Sequence, residues 1–358
     1  MTSFAPLSVV FGCAGPVLGD EEAAFFRDTN PLGFILFARN CENPDQIKHL
    51  TSDLRSAVGR ETAPILMDHE GGRVQRLSPP QWRKVPAAAL FGQWAQKDKP
   101  DAPDSMKAAL GAAALNGQLM AMELLDMGVD VNCVPCLDVH DPAGHKAIGD
   151  RAFSADPNLV ARLGRAQAAG LLRGGVLPVM KHMPGHGRAT VDSHLELPVV
   201  PADRDALSKH DFIPFKTLSD LPMGMTAHVL YPDLDPSHPA TLSKTIIGSV
   251  IRGEIGFDGL LFSDDLSMQA LGGSLGQRAE AAIAAGCDVA LHCNGKAPEM
   301  QEIASVCKPL SMSAQRRWQD ALAHREDLRE DLRADRRDGN ATSYKDLLAQ
   351  FTAQLNSL

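Results

Sequence analysis

Short apolar runs alternate with longer amphipathic segments along almost the whole chain, and this alternation constrains the fold more than any other feature. The runs are nearly continuous in apolar residues, which is typical of strands that are covered on both faces. The helical patterns between them, such as 105–128 and 158–175, often end in glycine, the usual residue after a helix C-terminus. Eight strand candidates occur, at 8–13, 33–38, 63–68, 130–135, 177–182, 223–229, 259–264 and 287–293.

Eight strands, each followed by a helix, predict a single-domain α/β fold, a (β/α)8 barrel of the TIM type. We expect the barrel to occupy residues 1–311. Residues 312–358 are rich in Arg, Asp and Glu, and we expect a charged helical extension there, packed on the barrel, with a second short helix near 344–355. The stretch 70–104 is too long for an ordinary loop, so we predict a functional loop with some structure near 87–94.

Composition excludes several classes of protein. The net charge of −9 argues against a nucleic-acid-binding protein, because phosphate contacts require a basic face. No apolar stretch approaches the ~20 residues that span a bilayer, and the N-terminus lacks the basic start of a signal peptide, so a first strand is expected there. The seven cysteines, including the C-x-x-C of Cys133 and Cys136, fit reduced structural thiols. We therefore expect a cytoplasmic protein that binds no nucleic acid and no membrane.

Polar side chains collect at the C-terminal ends of the predicted strands, where barrel enzymes carry their active sites. Strand beginnings have no comparable set, so the pattern predicts an enzyme. The residues are Asp68 and Glu70 after the third strand, Asp138 after the fourth, Lys181 and His182 after the fifth, His228 after the sixth, and Asp264 and Asp265 after the seventh.

Asp264 follows the apolar run GLLFS in the segment FSDDLSM. A carboxylate on a rigid strand end can attack or stabilise the cation-like carbon that forms when a glycoside is cleaved. The alternative is that Asp264 caps the following helix, a common role for aspartate after a strand. Since Asp265 is free to take that structural role, we favour Asp264 as a nucleophile.

The segment KHMPGHGRATVDSH, residues 181–194, offers an acid/base group in D-S-H. In an extended loop Asp192 and His194 project to the same side, so a hydrogen bond between them is expected. An imidazole, with an ordinary pKa of about 6.5, suits proton transfer near neutral pH. The alternative is a solvated surface histidine. We expect the loop 183–193, which contains one proline and two glycines, to be mobile and to close over bound sugar.

Four segments resemble the signature segments of family-three glycoside hydrolases, and more narrowly those of bacterial single-domain β-N-acetylhexosaminidases that recycle peptidoglycan. The resemblance covers about 33–294, and departures occur at His69 and Met183. The segments are MDHEGGRVQRL (67–77), AIGDRAF (147–153), KHMPGHGRATVDSH (181–194) and FSDDLSM (262–268).

The resemblance implies roles for particular residues. Asp264 would be the nucleophile, His194 the acid/base group and Asp192 its orienting partner. The sugar-binding positions of the family fall on Asp68, Arg76, Arg151, Lys181 and His182.

The resemblance also implies an activity. The protein would be a retaining exo-β-N-acetylglucosaminidase that removes terminal β-linked N-acetylglucosamine from peptidoglycan fragments. The substrate would be a muropeptide or GlcNAc-anhydro-MurNAc, with or without peptide, cleaved through a covalent glycosyl-aspartate in cell-wall recycling. We expect a monomer whose partner is this small-molecule carbohydrate, with neither metal nor cofactor.

Two other functions compete with this interpretation. A metal-dependent barrel hydrolase would use His182, His186, Asp192 and His194 as zinc ligands, although the first strand ends in FGCAG without the histidine pair that such enzymes often carry. A non-catalytic sugar-binding module is disfavoured by the full set of acidic and imidazole groups. For His186 we favour a role in holding the loop. His228 either lines the pocket floor or is a buried, hydrogen-bonded histidine.

Overall fold

The computed structural model describes residues 5–97, 104–337 and 342–356. Its eight strands pair in chain order, all parallel, and β1 pairs with β8 to close the barrel. The predicted (β/α)8 barrel is therefore confirmed. The strands are β1 (Leu7–Gly12), β2 (Pro31–Leu36), β3 (Ile65–Met67), β4 (Val131–Asn132), β5 (Leu177–Met183), β6 (Met223–Thr226), β7 (Leu260–Asp265) and β8 (Val289–His292).

The helices surround the barrel, and the predicted helical segments at 105–128, 158–175 and 87–94 all occur. A π-helix, Ile246–Glu254, stands between β6 and β7 where an α-helix was expected. The α-helices are α1 (Asp20–Thr29), α2 (Pro44–Ala57), α3 (Ala88–Ala95), α4 (Ser105–Asp126), α5 (Pro157–Arg173), α6 (Arg204–Lys209), α7 (Ile213–Thr217), α8 (Leu275–Ala285), α9 (Ala297–Val306), α10 (Met312–Arg337) and α11 (Tyr344–Asn356).

Helix α10 closes one end of the barrel. A buried apolar cluster joins residues of all eight strands to Ala314, Trp318 and Ala321 of this helix. Further along α10, the buried Arg325 is ion-paired with Asp130, which directly precedes β4. The N-terminal ends of the strands are thus covered, and the opposite end is left for the site.

Helix α4 is the one helix among the described residues that is long and apolar enough to cross a membrane by length and composition, and half of its apolar window is buried. It packs against α3, α5 and α11, as a core helix does. The division at residue 312 and the absence of a membrane partner stay predictions.

Candidate active site

Lys181 lies at the centre of a charged cluster at the C-terminal ends of β3 and β5. Its Nζ atom is 2.7 Å from Asp68 Oδ1 and 2.7 Å from Glu70 Oε1, and only 2% of its side chain is exposed. Burial lowers the pKa of Lys181, but Asp68 and Glu70 raise it by more, so the ammonium stays charged. The second oxygen of Asp68 is 3.8 Å from the guanidinium of Arg76.

Glu70 links this lysine to Arg151. Arg151 donates from Nε and from a terminal nitrogen to the two Glu70 oxygens, both at 2.8 Å, in the bidentate geometry that favours arginine. Burial raises the pKa of Glu70, but Arg151 and Lys181 lower it by more, so it is held well below its usual range. Glu70 is therefore a permanent anion that orders two cations, a role the sequence did not single out.

The two aspartates at the end of β7 have different surroundings. The Asp265 carboxylate accepts from the Ser267 N–H at 3.0 Å, the Ser267 hydroxyl at 2.7 Å and the Cys293 N–H at 3.2 Å. Among the described residues, Asp264 accepts one hydrogen bond, from the Asp265 N–H to Oδ1 at 2.8 Å. Both aspartates line the same cavity. Asp265 thus has the structural role, as the sequence suggested.

The electrostatic surroundings keep Asp264 ionised. Burial raises its pKa, but His228 and His182, the Asp265 N–H and Lys181 lower it by more, so the net pKa lies below the ordinary value. His228 itself is fully buried, with Nδ1 2.7 Å from Thr241 Oγ1 and Nε2 3.0 Å from the Asp265 carbonyl. His228 is thus a buried, hydrogen-bonded histidine, one of the two alternatives that the sequence left open.

Asp192 and His194 form the predicted hydrogen bond, Nδ1 to Oδ1 at 2.8 Å. The segment is a turn rather than an extended strand, because Asp192 Oδ1 also accepts from the His194 N–H at 3.0 Å. Burial raises the pKa of Asp192, and its hydrogen bonds to His194 lower it by more. The His194 side chain is 67% exposed, against 26% for Asp192. His194 is thus oriented by a carboxylate while remaining accessible to solvent.

The segment before this turn is firmly held. Residues 183–187 are buried. The Tyr231 hydroxyl donates to the Gly185 carbonyl at 2.5 Å, and Arg188 Nε donates to Asp211 at 2.8 Å. His186 Nε2 lies 3.3 Å from Ser193 Oγ, which ties the two halves of the loop together. A moving part, if the loop has one, must begin after Ala189.

A cavity of about 150 Å³ opens where these groups meet. Asp192 stands behind His194 and is not part of the lining. Sequence reasoning missed Phe37, which follows β2, lines the cavity and lies 5.0 Å from the Arg76 guanidinium. The only sequence feature that could have indicated Phe37 as a cavity residue is its position at a strand end. The predicted residues in the wall are Asp68, Arg76, Arg151, Lys181, His182, His194 and Asp264.

The proposed zinc ligands do not converge. Among the described residues, one group could hold a metal ion, namely Cys136, Asp138 and His182. Its donors already contact one another, since both the Cys136 thiol and His182 Nδ1 lie within hydrogen-bond distance of Asp138 Oδ2. His186, Asp192 and His194 belong to no such group in the described part of the chain.

A TIM-type barrel with an ionised carboxylate, a separate imidazole and a cluster of charged side chains at one end has the organisation of a glycoside hydrolase. The chain belongs to glycosyl hydrolase family 3, since residues 17–324 match the Glycosyl hydrolase family 3 N terminal domain.

Known proteins resemble the chain over most of its length. It is 41% identical to a beta-hexosaminidase of Bordetella avium strain 197N over 293 residues, 81% of each chain. It is 42% identical to a beta-hexosaminidase of Alkalilimnicola ehrlichii, covering 80% of each. The crystal structure of NagZ from Neisseria gonorrhoeae in complex with N-trifluoroacetyl-D-glucosamine superposes with a TM-score of 0.81 at 33% identity, covering 98% of this chain and 96% of that one. These similarities show a glycoside hydrolase with β-N-acetylhexosaminidase activity, as predicted.

Proposed function

We propose that the protein is a retaining exo-β-N-acetylglucosaminidase that acts through a covalent glycosyl ester on Asp264. The observation that carries this proposal is the asymmetry of the two strand-end aspartates. Both aspartates line the cavity, but the Asp265 carboxylate accepts three hydrogen bonds, whereas the ionised Asp264 accepts a single one from the described residues. A carboxylate so placed on a strand is held in attack geometry.

Two steps complete the reaction. In the first, Asp264 attacks the anomeric carbon while His194 protonates the glycosidic oxygen. Because the His194 Nδ1–H donates to Asp192, the catalytic proton is carried by Nε2. In the second, His194 removes a proton from water, which attacks the ester and releases a β-configured sugar with Asp264 as the leaving carboxylate.

The charged cluster binds the sugar hydroxyls in this proposal. Asp68 accepts hydrogen bonds, Lys181, Arg76 and Arg151 donate them, and His182 contributes its cavity-facing nitrogen. The Lys181 and Arg151 side chains are already fixed by Glu70, so little conformational entropy is lost when substrate binds. The small cavity, with the barrel core behind it, fits one terminal sugar rather than the interior of a chain.

The relatives support a substrate class. The bound sugar of the Neisseria structure carries a 2-acylamido group, which supports N-acetylglucosamine as the released sugar. We propose that the natural substrate is a peptidoglycan fragment, a muropeptide or GlcNAc-anhydro-MurNAc, cleaved in cytoplasmic cell-wall recycling.

We further propose that a monomer acts without metal or cofactor. Lasting loss of activity in EDTA, with recovery on adding zinc, would contradict the last point.

Motion is also part of the proposal, in a narrower form than the sequence suggested. Since residues 183–187 are buried and held, the moving segment is 190–197, and its closure places His194 against the glycosidic oxygen.

A mechanism-based label tests the covalent step. A 5-fluoro N-acetylglucosaminide with a good leaving group should add one sugar per protein, on a peptide that contains Asp264. The Asp264→Asn variant is the control and should stay unlabelled. NMR of the first product from an aryl N-acetylglucosaminide should show the β-anomer; an α-anomer would overturn the mechanism.

A further inference from the structure

Asp138 is a fully buried carboxylate, six residues after β4, that does not line the cavity yet contacts two residues that do. Its Oδ2 atom is 2.6 Å from His182 Nδ1 and 3.2 Å from Cys136 Sγ. Its Oδ1 atom accepts from the backbone N–H of His186 at 2.6 Å and of His182 at 3.3 Å. One carboxylate therefore holds both ends of the turn 182–186.

The contacts fix the protonation of the His182 ring. Burial raises the pKa of Asp138, but His182 and His186 lower it by more, so the carboxylate stays ionised and can only accept hydrogen bonds. The proton on His182 must therefore lie on Nδ1. A terminal nitrogen of Arg151, which can only donate, lies 3.4 Å from Nε2. In the neutral ring, Nε2 presents a lone pair.

We infer that Asp138 is a positioning residue for sugar binding, which holds His182 as the Nδ1–H tautomer so that Nε2 accepts a hydrogen bond from a sugar hydroxyl. This inference rests on the proposed role of His182 as a sugar ligand. Asp138 touches neither substrate nor the reacting atoms and acts through His182.

An Asp138→Asn substitution reverses the polarity of the contact. The amide oxygen can still accept from the two backbone N–H groups, which leaves the amide nitrogen as a donor toward His182 Nδ1. The ring proton of His182 then moves to Nε2. In this tautomer Nε2 has no lone pair with which to accept a hydrogen bond from a sugar hydroxyl, and its N–H faces the Arg151 donor. Loss of the carboxylate that orients a metal-binding histidine typically costs about 10- to 100-fold, and we expect a similar fall in kcat/KM here. KM should carry most of the change, because the contact is made in the ground state as well.

A double-mutant cycle separates positioning from stability. Asp138→Asn, His182→Gln and the double variant are compared by kcat/KM on an aryl N-acetylglucosaminide. If Asp138 acts through His182, the second substitution adds less than about threefold to the first, whereas independent effects multiply. Asp288→Asn is the matched control, since Asp288 is also a buried aspartate but precedes β8 at the far end of the barrel. It should lower the unfolding temperature and leave kcat/KM unchanged.

Nitrogen NMR of the wild-type protein decides the tautomer without relying on the Asp138→Asn variant. The His182 signals are assigned by their absence in His182→Gln, and a protonated Nδ1 with a bare Nε2 is expected. A bare Nδ1, multiplying effects in the cycle, or wild-type kcat/KM in folded Asp138→Asn would each overturn the inference. None of these results affects labelling of Asp264, so failure here is distinguishable from failure of the covalent mechanism.

Discussion

As the proposed proton donor, His194 is unusual for a glycosidase because it is an exposed imidazole rather than a carboxylic acid. Acid catalysis matters most when the leaving group is a poor one, such as a sugar alkoxide. We therefore expect His194→Ala to lose about 10²–10⁴-fold in kcat/KM on a natural disaccharide but less than about tenfold on a nitrophenyl N-acetylglucosaminide. Its kcat on the nitrophenyl substrate should still fall, because hydrolysis of the ester needs a base.

Glu196→Ala, an exposed change in the same turn, is the control and should resemble the wild type on both substrates. Equal losses for His194→Ala on the two substrates would show that His194 is not the acid. Steady-state kinetics on both substrates make the comparison.

The fully buried His69 should make the free energy of unfolding depend on pH. Burial, with Arg83 and Arg76 nearby, lowers its pKa from 6.5 to about 3. Between these two pKa values His69 is protonated in the unfolded chain but neutral in the folded protein. The free energy of unfolding therefore falls as pH decreases from 6.5 toward 3. The slope is about 1.4 kcal/mol per pH unit for this group.

Urea denaturation at several pH values tests this effect. In His69→Leu the loss of stability between pH 6.5 and pH 4 should be smaller than in the wild type. Near pH 8 the two proteins should differ little, since neither ring nitrogen has a hydrogen-bond partner among the described residues. Parallel curves would contradict the assignment.

The sequence predicted which residues lie in the site, but not the ion pairs between them. Asp264, Lys181 and His182 were placed correctly in the cavity wall because each stands at the C-terminal end of a strand, and these ends converge in a barrel. The Glu70–Arg151 pair joins residues 81 positions apart, and Lys181 reaches Asp68 across 113. No local pattern encodes such pairings, since they depend on how the loops fold over the barrel.

At the scale of single elements, the loop after β5 divides into a held half and an exposed half. We expect backbone amides in 190–197 to exchange with deuterium faster than those in 183–189, because every residue of 183–189 except Arg188 is buried, whereas Ser193 alone is buried in 190–197. N-acetylglucosamine should slow exchange in 190–197 if the segment closes over sugar. Equal exchange rates in the two halves, or no effect of the sugar, would count against the proposed motion. Peptide-resolved mass spectrometry gives the measurement.

Element boundaries were predicted well where apolar runs are bounded by loops, and less well where proline intervenes. The strands at 63–68 and 130–135 were predicted too long, since β3 begins after Pro64 and β4 ends before Pro135. Proline has no N–H to donate to the ladder, so the start of β3 has a local cause, whereas β4 ends at Asn132, three residues before Pro135. The π-helix 246–254 has no comparable signal, and the D-S-H turn was mistaken for extended chain because its hydrogen bonds are local to Asp192.

For the molecule as a whole, α10 holds the end of the barrel opposite the cavity. Arg325 is buried and paired with Asp130, which also lies 3.2 Å from Arg55. Arg325→Met should lower the free energy of unfolding by about 3 kcal/mol, since it leaves a buried carboxylate with one partner fewer. Because the pair lies away from the cavity, kcat/KM should not change.

Arg316→Met on the same helix is the matched control. Arg316 is exposed and 3.5 Å from the exposed Asp258, so its loss should cost less than about 1 kcal/mol. Urea denaturation of the two variants, with turnover measured on the same preparations, compares them. Equal destabilisation, or loss of turnover in Arg325→Met, would show that α10 does not act as described.

The division of the β5 loop has a consequence for how such an enzyme can change over generations. Substitutions among the buried residues 183–187 disturb folding and sugar recognition together, so few of them can persist. Positions 195–197 are exposed or half-exposed and stand beside His194, the proposed proton donor, so they can vary at little cost to the folded state. The chain can therefore adapt to new leaving groups by drift at the tip of one loop, while the sugar that it recognises stays the same.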